Sequence, residues 1–136
     1  MKILATAIAV AISMQTGIET VARDTMSGID SPRQAVARND KEFAALWQAH
    51  AGPATPAPKV DFAKRTVVAV FLGSRPTAGF GVEVTGTRQD GKALVVTWRE
   101  SAPDRDSVSA QVLTAPAHLA SIPKFDGEIR FEKAAR

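Results

Sequence analysis

The sequence of 136 residues contains no cysteine and no tyrosine, and only two histidines. Without cysteine, the chain cannot form disulfides, thiolate metal sites, a cysteine nucleophile or a lipidated N-terminal cysteine. Without tyrosine, it has no phenolic acid. The two histidines, His50 and His118, lie far apart and show no two-ligand spacing of the His-Glu-x-x-His kind. We therefore predict no metal ion and no cofactor, with His50 packed at a helix end and His118 bonded to nearby backbone.

A concentration of charge of one sign is also absent. The 17 lysines and arginines are interspersed with 14 aspartates and glutamates, and aromatic residues make up 6% of the chain. A nucleic-acid binder is expected to gather basic residues on one stripe and to offer aromatic stacking platforms, and neither pattern is present. The length and the 45% apolar content suit a single domain with an adequate core.

The longest apolar run near the N-terminus is too short to span a bilayer. Met1 and Lys2 precede a ten-residue, largely apolar stretch at 3–12, with small side chains at Ala11 and Ser13, whereas a span takes about 20 residues. This pattern predicts a secretory signal at residues 1–13, cleaved near Ser13, and a domain at 14–136. We expect a bacterial periplasmic or secreted protein without a membrane anchor. The alternative is a first buried element of the domain.

The most regular stretch of the sequence lies at residues 66–84. Residues 66–72 are uncharged, apolar and rich in β-branched side chains, which predicts a strand buried on both faces. Phe80, Val82 and Val84 then alternate with smaller or polar residues, which predicts a second strand with one buried face. We expect these two strands to pair as a hairpin through the turn at 73–79.

The remaining strand signals are shorter. We predict an edge strand at 17–22, a short strand at 34–38, a hairpin of 83–88 with 93–99 across Asp90-Gly91, a strand at 108–113 ended by Pro116, and a last strand with Ile129 and Phe131 facing inward. Together they predict an α+β domain with a mainly antiparallel sheet of six to seven strands, as a sandwich or partly open barrel, and one packed α-helix.

That helix is predicted to begin after Asn39, whose side chain can cap it, with Glu42 in a capping-box-like position. Its apolar residues follow at helical spacing and predict a face that docks on the sheet: Phe43, Leu46, Trp47 and His50. Gly52-Pro53 ends the helix, and the proline-rich residues 51–59 predict an extended surface connection.

No recognised catalytic pattern is present. Gly73-Ser74-Arg75-Pro76 is not a Gly-x-Ser-x-Gly elbow, and nothing predicts a serine–histidine–acid triad or a phosphate-binding loop. Glu83 and Glu100 fall on neighbouring predicted strands, and we interpret them as solvated surface charges. The sequence thus predicts no catalytic residue, and we expect a protein that is not an enzyme.

The turn at 73–80 is the one candidate binding site. Its predicted interaction residues are Ser74, Arg75, Pro76, Thr77, Gly79 and Phe80. Arg75 can bind a carboxylate through two donors, and Thr77 can bond a partner or its own turn. Two interpretations therefore stay open: the turn contacts a partner, or Arg75 pairs internally and the motif builds the turn.

Gly73-Ser74-Arg75-Pro76-Thr77-Ala78-Gly79-Phe80 resembles the Gly-x-Arg-Pro-Thr-Gly-Gly-Tyr signature of the PrcB C-terminal domain family, with Ala78 and Phe80 as departures. Other matching stretches extend the resemblance over roughly residues 18–131, including 26–29 and 113–118. The family is named after an accessory subunit that stabilises a secreted serine protease. The resemblance therefore implies an interaction module whose partner is a secreted or periplasmic protease.

A different function is a protease inhibitor, since Pro76-Thr77-Ala78-Gly79-Phe80 also resembles the Asn-Pro-Thr-Thr-Gly-Tyr inhibitory loop of chagasin-like proteins. In this chain Arg75 replaces the asparagine of that loop, and no second glycine-rich loop is evident. An enzyme of unrecognised chemistry is the third alternative.

Overall fold

A computed structural model describes residues 17–134, so the predicted leader at 1–13 lies outside the described residues. These residues form seven strands and one helix. In chain order they are β1 (Glu19–Asp24), β2 (Arg33–Ala37), α1 (Asp40–Ala51), β3 (Arg65–Phe71), β4 (Gly81–Asp90), β5 (Ala93–Ser101), β6 (Ala117–Pro123) and β7 (Ile129–Lys133).

The strands form two sheets. The larger sheet has the order β1-β6-β3-β2, and each of its neighbouring pairs is antiparallel. The smaller sheet has the order β4-β5-β7, with β4 antiparallel and β7 parallel to β5. The domain is therefore α+β with a mainly antiparallel arrangement and no closed barrel, as the sequence predicts.

β3 lies at the centre of the molecule and has a core on each face. Its residues Val67, Ala69 and Phe71 pack in a cluster with α1, whereas Val68 and Val70 pack in a second cluster with the smaller sheet. This arrangement explains why residues 66–72 contain no polar position that faces water. The helix, the four-stranded sheet and the three-stranded sheet thus form three layers.

The helix begins and ends where the sequence predicts. The Asn39 side chain accepts a hydrogen bond from the Glu42 N–H at 2.8 Å, and Gly52 ends the helix with a φ of 83°. Glu42 accepts from the Arg38 N–H, one residue earlier than in a standard capping box. Phe43 and Trp47 are buried against the sheet, so the predicted apolar face is confirmed.

The predicted pairing of residues 66–72 with 80–84 is wrong. β3 has β2 on one edge and β6 on the other, with Val68 opposite both Val36 and Ala120. Both edges of β3 are therefore occupied, and β4 pairs with β5 in the other sheet. The turn at 73–80 connects the two sheets instead of closing a hairpin.

The predicted strand at 108–113 is also wrong, since these residues form an exposed loop that belongs to neither sheet. The strand comes later, as β6, beyond the proline that was expected to end it. The predicted edge strand, the short strand around Val36, the β4–β5 hairpin and the final strand are confirmed.

Candidate functional site

The turn at 73–80 leaves the end of β3 and crosses to the start of β4. Gly73 and Gly79 bound it with φ values of 80° and 97°, which favour glycine. Both glycines also lie against proline: a Cβ on Gly73 would come within 2.8 Å of the Pro32 ring, and one on Gly79 within 2.9 Å of Pro103. The turn therefore lies close to two neighbouring loops.

Arg75 is bonded inside the domain. Its Nε donates to the Glu100 carboxylate at 3.0 Å, and its Nη1 donates to the carbonyls of Leu72 and Ser74 at 3.1 Å. The guanidinium also lies over the Phe80 ring, 5.9 Å from the centroid. Since these contacts use Arg75 to hold the turn, the geometry favours the interpretation in which Arg75 pairs internally.

Glu100 is the acceptor that anchors this arrangement. Its side chain is 18% exposed and also accepts from Lys133 at 3.1 Å, so the prediction of a solvated charge at Glu100 is wrong. The hydrogen bond from Arg75 holds the pKa of Glu100 below its ordinary value of 4.5, against the opposing effect of burial. An open cavity of about 810 Å³ lies beside these groups and is lined by Glu100. Because Glu100 is already paired with Arg75, its carboxylate is not free to bind a ligand there.

Backbone bonds tie the turn to the segment that precedes β6. Arg75 and Thr114 exchange N–H···O bonds of 2.8 and 2.9 Å, and the Ala78 N–H donates to the Ala110 carbonyl at 3.0 Å. The Thr114 hydroxyl donates to the Thr77 carbonyl, whereas the Thr77 hydroxyl donates to the Ala78 carbonyl beside it. Thr77 thus bonds its own turn.

The segment after β1 completes this end of the molecule. Ser27 N–H donates to the Ala115 carbonyl, and Ala115 N–H donates to the Thr25 carbonyl. Ser74 N–H donates to the carbonyl of Asp30 at 3.0 Å. Three stretches distant in sequence, at 25–31, 73–80 and 110–115, therefore meet at one end of the domain.

Exposed apolar side chains are concentrated at this end. Within residues 17–134, the large apolar residues that are exposed are Met26, Val108, Val112 and Leu113. Met26 and Leu113, at 66% and 69% exposure, line a shallow cavity of about 170 Å³ together with Ser74. We call Met26, Ser74 and Leu113 the turn patch.

The structure divides the six predicted interaction residues into two groups. Ser74, Pro76 and Gly79 are exposed, whereas Arg75, Thr77 and Phe80 are partly buried. Sequence reasoning missed Met26 and Leu113 as candidate contacts. Both belong to stretches that carry the family resemblance, 26–29 and 113–118. That common membership was the signal that could have identified them as candidate contacts.

His50 lies in a hydrogen-bonded chain that the sequence did not predict. Its Nε2 donates to the Asp24 carboxylate at 2.8 Å, and its Nδ1 is hydrogen-bonded to the Ser27 hydroxyl, also at 2.8 Å. These residue types are those of a catalytic triad, but the Ser27 oxygen is buried and already accepts from the Ile29 N–H.

Among residues 17–134, the backbone amides nearest Ser27 in the chain are not free to form an oxyanion site. The amides of Ser27 and Gly28, which stand nearest the hydroxyl in the chain, donate to the carbonyls of Ala115 and His50. A tetrahedral intermediate at Ser27 would therefore find these two donors occupied. We interpret the hydrogen bonds from Asp24 through His50 to Ser27 as a link that fixes the end of α1 to the segment after β1.

His118 joins the two sheets. Its Nδ1 accepts from the Val84 N–H at 2.9 Å, so its Nε2 carries the proton and donates to the Thr20 hydroxyl at 2.9 Å. Burial lowers the pKa of His118 below its ordinary 6.5, and Arg23 adds to this effect. The predicted backbone contact is present, but it reaches the other sheet and not a neighbour in sequence.

Among residues 17–134, no three histidine, cysteine, aspartate or glutamate side chains are grouped so that they could hold a metal ion. In the same part of the chain, no helix has the length and apolar character needed to cross a bilayer.

Comparison with known proteins identifies a family. Residues 66–123 match the family model described as PrcB C-terminal. No curated protein matched the chain. No solved structure matched it either. The matched segment begins in β3, includes the whole turn at 73–80 and ends in β6, so the resemblance carried by Arg75-Pro76-Thr77 is confirmed. Over residues 66–123, the chain is therefore similar to the PrcB C-terminal domain family.

Proposed function

We propose that this protein is a non-enzymatic binding module that associates with a secreted or periplasmic protease through the turn patch. The observation that carries the proposal is the exposure of Met26 and Leu113 around a cavity beside the family's signature turn. Exposed apolar side chains grouped on a soluble domain mark interaction sites more often than isolated ones do. The family match suggests a protease complex as the setting.

The contacts of the turn explain how the patch is presented. Because Arg75 bonds Glu100 and two carbonyls, the turn has a fixed shape before any partner arrives. A surface that is already ordered loses little conformational entropy on binding. The internal bonds of Arg75 thus fix the turn that carries Ser74, and Ser74 contributes a hydroxyl to the turn patch.

We also propose that the protein is exported from the cytoplasm. The apolar residues at 3–12 are the basis for placing the protein in the periplasm or the medium after cleavage near Ser13. N-terminal sequencing of the protein from the envelope fraction tests this part, and recovery of intact Met1 there would refute it.

The binding part is tested by capture from the native envelope with the tagged protein and two variants. We expect a protease to be enriched by the original chain and lost with Met26→Ser/Leu113→Ser. Ala57→Ser, an exposed substitution in the proline-rich connection, is the matched control and should retain it. Equal capture by all three proteins would refute the patch as the binding site.

The same protease, once purified, separates the accessory role from inhibition. An accessory protein should lengthen the lifetime of the protease at unchanged turnover, whereas an inhibitor should lower its turnover in proportion to occupancy. The accessory role is our proposal, because the turn carries Arg75 in internal bonds and lacks the asparagine of the chagasin-like loop.

A further inference from the structure

Residues 108–112, which we call the outer segment, combine a strand-like sequence with an exposed position outside both sheets. Val108, Ala110 and Val112 alternate with Ser109 and Gln111, the pattern of a half-buried strand. Yet Val108 is fully exposed, at 101%, and Val112 is 45% exposed. An apolar face typical of a sheet is therefore left uncovered in the single chain.

One edge of the outer segment is already bonded to the domain. The bond from Ala78 N–H to the Ala110 carbonyl and the paired bonds of Arg75 with Thr114 place the segment antiparallel to the turn. In an extended chain, successive residues direct their N–H and C=O groups to opposite edges. Since Ala110 faces the turn, Ser109 and Gln111 direct theirs to the outer edge once the bend at Gln111, closed by the bond from the Val112 N–H to the Ala110 carbonyl, is straightened.

That outer edge is free. Within residues 17–134, the backbone N–H and C=O groups of Ser109 and Gln111 make no backbone hydrogen bond. The segment thus offers two residues with unpaired donors and acceptors, beside an exposed apolar face. Unpaired strand edges of this kind recruit a further strand.

The sequence of the outer segment favours a second copy of itself as the added strand. The residues on either side of Ala110, Ser109 and Gln111, are polar, and the next residue in each direction is a valine. An antiparallel copy centred on Ala110 places Val108 opposite Val112 of the copy, and Ser109 opposite Gln111. Apolar side chains then meet apolar ones on one face, and polar side chains meet polar ones on the other.

The backbone fits the same register. Antiparallel strands alternate hydrogen-bonded and non-hydrogen-bonded pairs. Centring on Ala110 makes Ala110 with its copy a non-hydrogen-bonded pair, which leaves its carbonyl to Ala78, and makes Ser109 with Gln111 the hydrogen-bonded pairs. The small alanine suits the close approach at the two-fold axis.

We propose that the protein self-associates into a two-fold dimer by antiparallel pairing of the outer segments of two copies. Pairing straightens a bend at Gln111, where the Val112 N–H donates to the Ala110 carbonyl at 3.0 Å. Five residues a side form a small interface, so the dimer is weak, with a dissociation constant of about 10 μM to 1 mM. The proposal is independent of protease binding, because it uses residues outside the turn patch.

Sedimentation equilibrium of the purified protein across that concentration range tests the proposal. We expect a reversible monomer–dimer equilibrium. A monomer at every concentration would overturn it.

Charge substitutions test the register. Val108→Lys and Val112→Glu should each weaken the dimer about tenfold, since the two-fold axis repeats each mismatch. The double variant Val108→Lys/Val112→Glu should restore association, because each lysine then faces a glutamate of the other copy. A double variant as weak as the single ones would overturn the register and the proposal with it.

Met26→Ser is the control, because Met26 belongs to the turn patch and should leave the equilibrium unchanged. Loss of the dimer with Met26→Ser but not with Val108→Lys would show that the turn patch, and not the outer segment, mediates self-association. Val108 and Val112 are exposed, so unchanged melting temperatures are expected for all the variants.

Discussion

β3 and the turn at 73–80 are adjacent in the chain but are held in different ways. β3 is buried on both faces, and its stability comes from apolar side chains and from a strand on each edge. The turn is held by hydrogen bonds between loops and by the Arg75–Glu100 ion pair, and it leaves apolar residues in solvent. The comparison indicates that apolar burial stabilises β3, whereas hydrogen bonds stabilise the turn and leave Met26 and Leu113 in solvent.

The largest effect is expected in the core. Trp47→Ala should destabilise the domain by about 3–5 kcal/mol, because Trp47 is 8% exposed and packs in the cluster between α1 and β3. Its Nε1 also donates to the Thr55 carbonyl at 3.0 Å. Urea denaturation measures the change, with the exposed Gln48→Ala as control. An equal midpoint for both variants would contradict the proposed packing.

The next largest effect is expected at the end of the turn. Gly79→Val should cost about 2–4 kcal/mol, because valine resists a φ of 97° and its Cβ would lie 2.9 Å from Pro103. Gly91→Val separates these causes, since Gly91 has a φ of 63° but no atom within 4 Å of an added Cβ. It should cost about 1–2 kcal/mol. Similar thermal midpoints for the two variants would show that Pro103 does not restrict residue 79.

Arg75→Ala is expected to have a smaller effect, about 1–3 kcal/mol, because it removes three hydrogen bonds and leaves Glu100 with Lys133 alone. Arg75→Lys should recover only part of the loss, since lysine lacks the planar fork. Denaturation in urea at neutral pH is the measurement. An Arg75→Ala variant as stable as the original would mean that Arg75 is free to serve a partner.

The link between the sheets predicts a pH dependence. The folded pKa of His118 lies below the ordinary 6.5, so the unfolded chain binds a proton first as the pH falls. The stability contributed by neutral His118 is therefore full above pH 6.5 and declines as the pH falls from 6.5 through the folded pKa. Unfolding measured between pH 8 and 5 should lose this slope in His118→Gln. An unchanged slope would assign the effect to other groups.

The elements that the sequence predicted are those with local signals. β3 follows from a continuous apolar run, α1 from the Asn39 cap and the spacing of its apolar face, and the β4–β5 turn from Asp90-Gly91. β6 escaped prediction because Ala117, Ala120 and Ser121 are small residues between two prolines, although the strand is buried at the centre of a sheet.

The site was only partly predictable, because its contacts join residues distant in sequence. The motif around Arg75 identified the turn, but the Arg75–Glu100 pair spans 25 positions, and the link from Asp24 to His50 spans 26. The alternation at 108–113 is a strand pattern, but within residues 17–134 neither sheet includes these residues, so the prediction was wrong. Pattern alone does not specify which edge a strand joins.

The separation of stability from surface is the central claim, and one measurement tests it directly. The thermal midpoint of Met26→Ser/Leu113→Ser should equal that of the original chain, as exposed substitutions usually stay within about 0.5 kcal/mol, while Arg75→Ala measured alongside should be lower. If the turn-patch variant falls as far as Arg75→Ala, then Met26 and Leu113 contribute to the fold, and the claim that they form a free binding surface is contradicted.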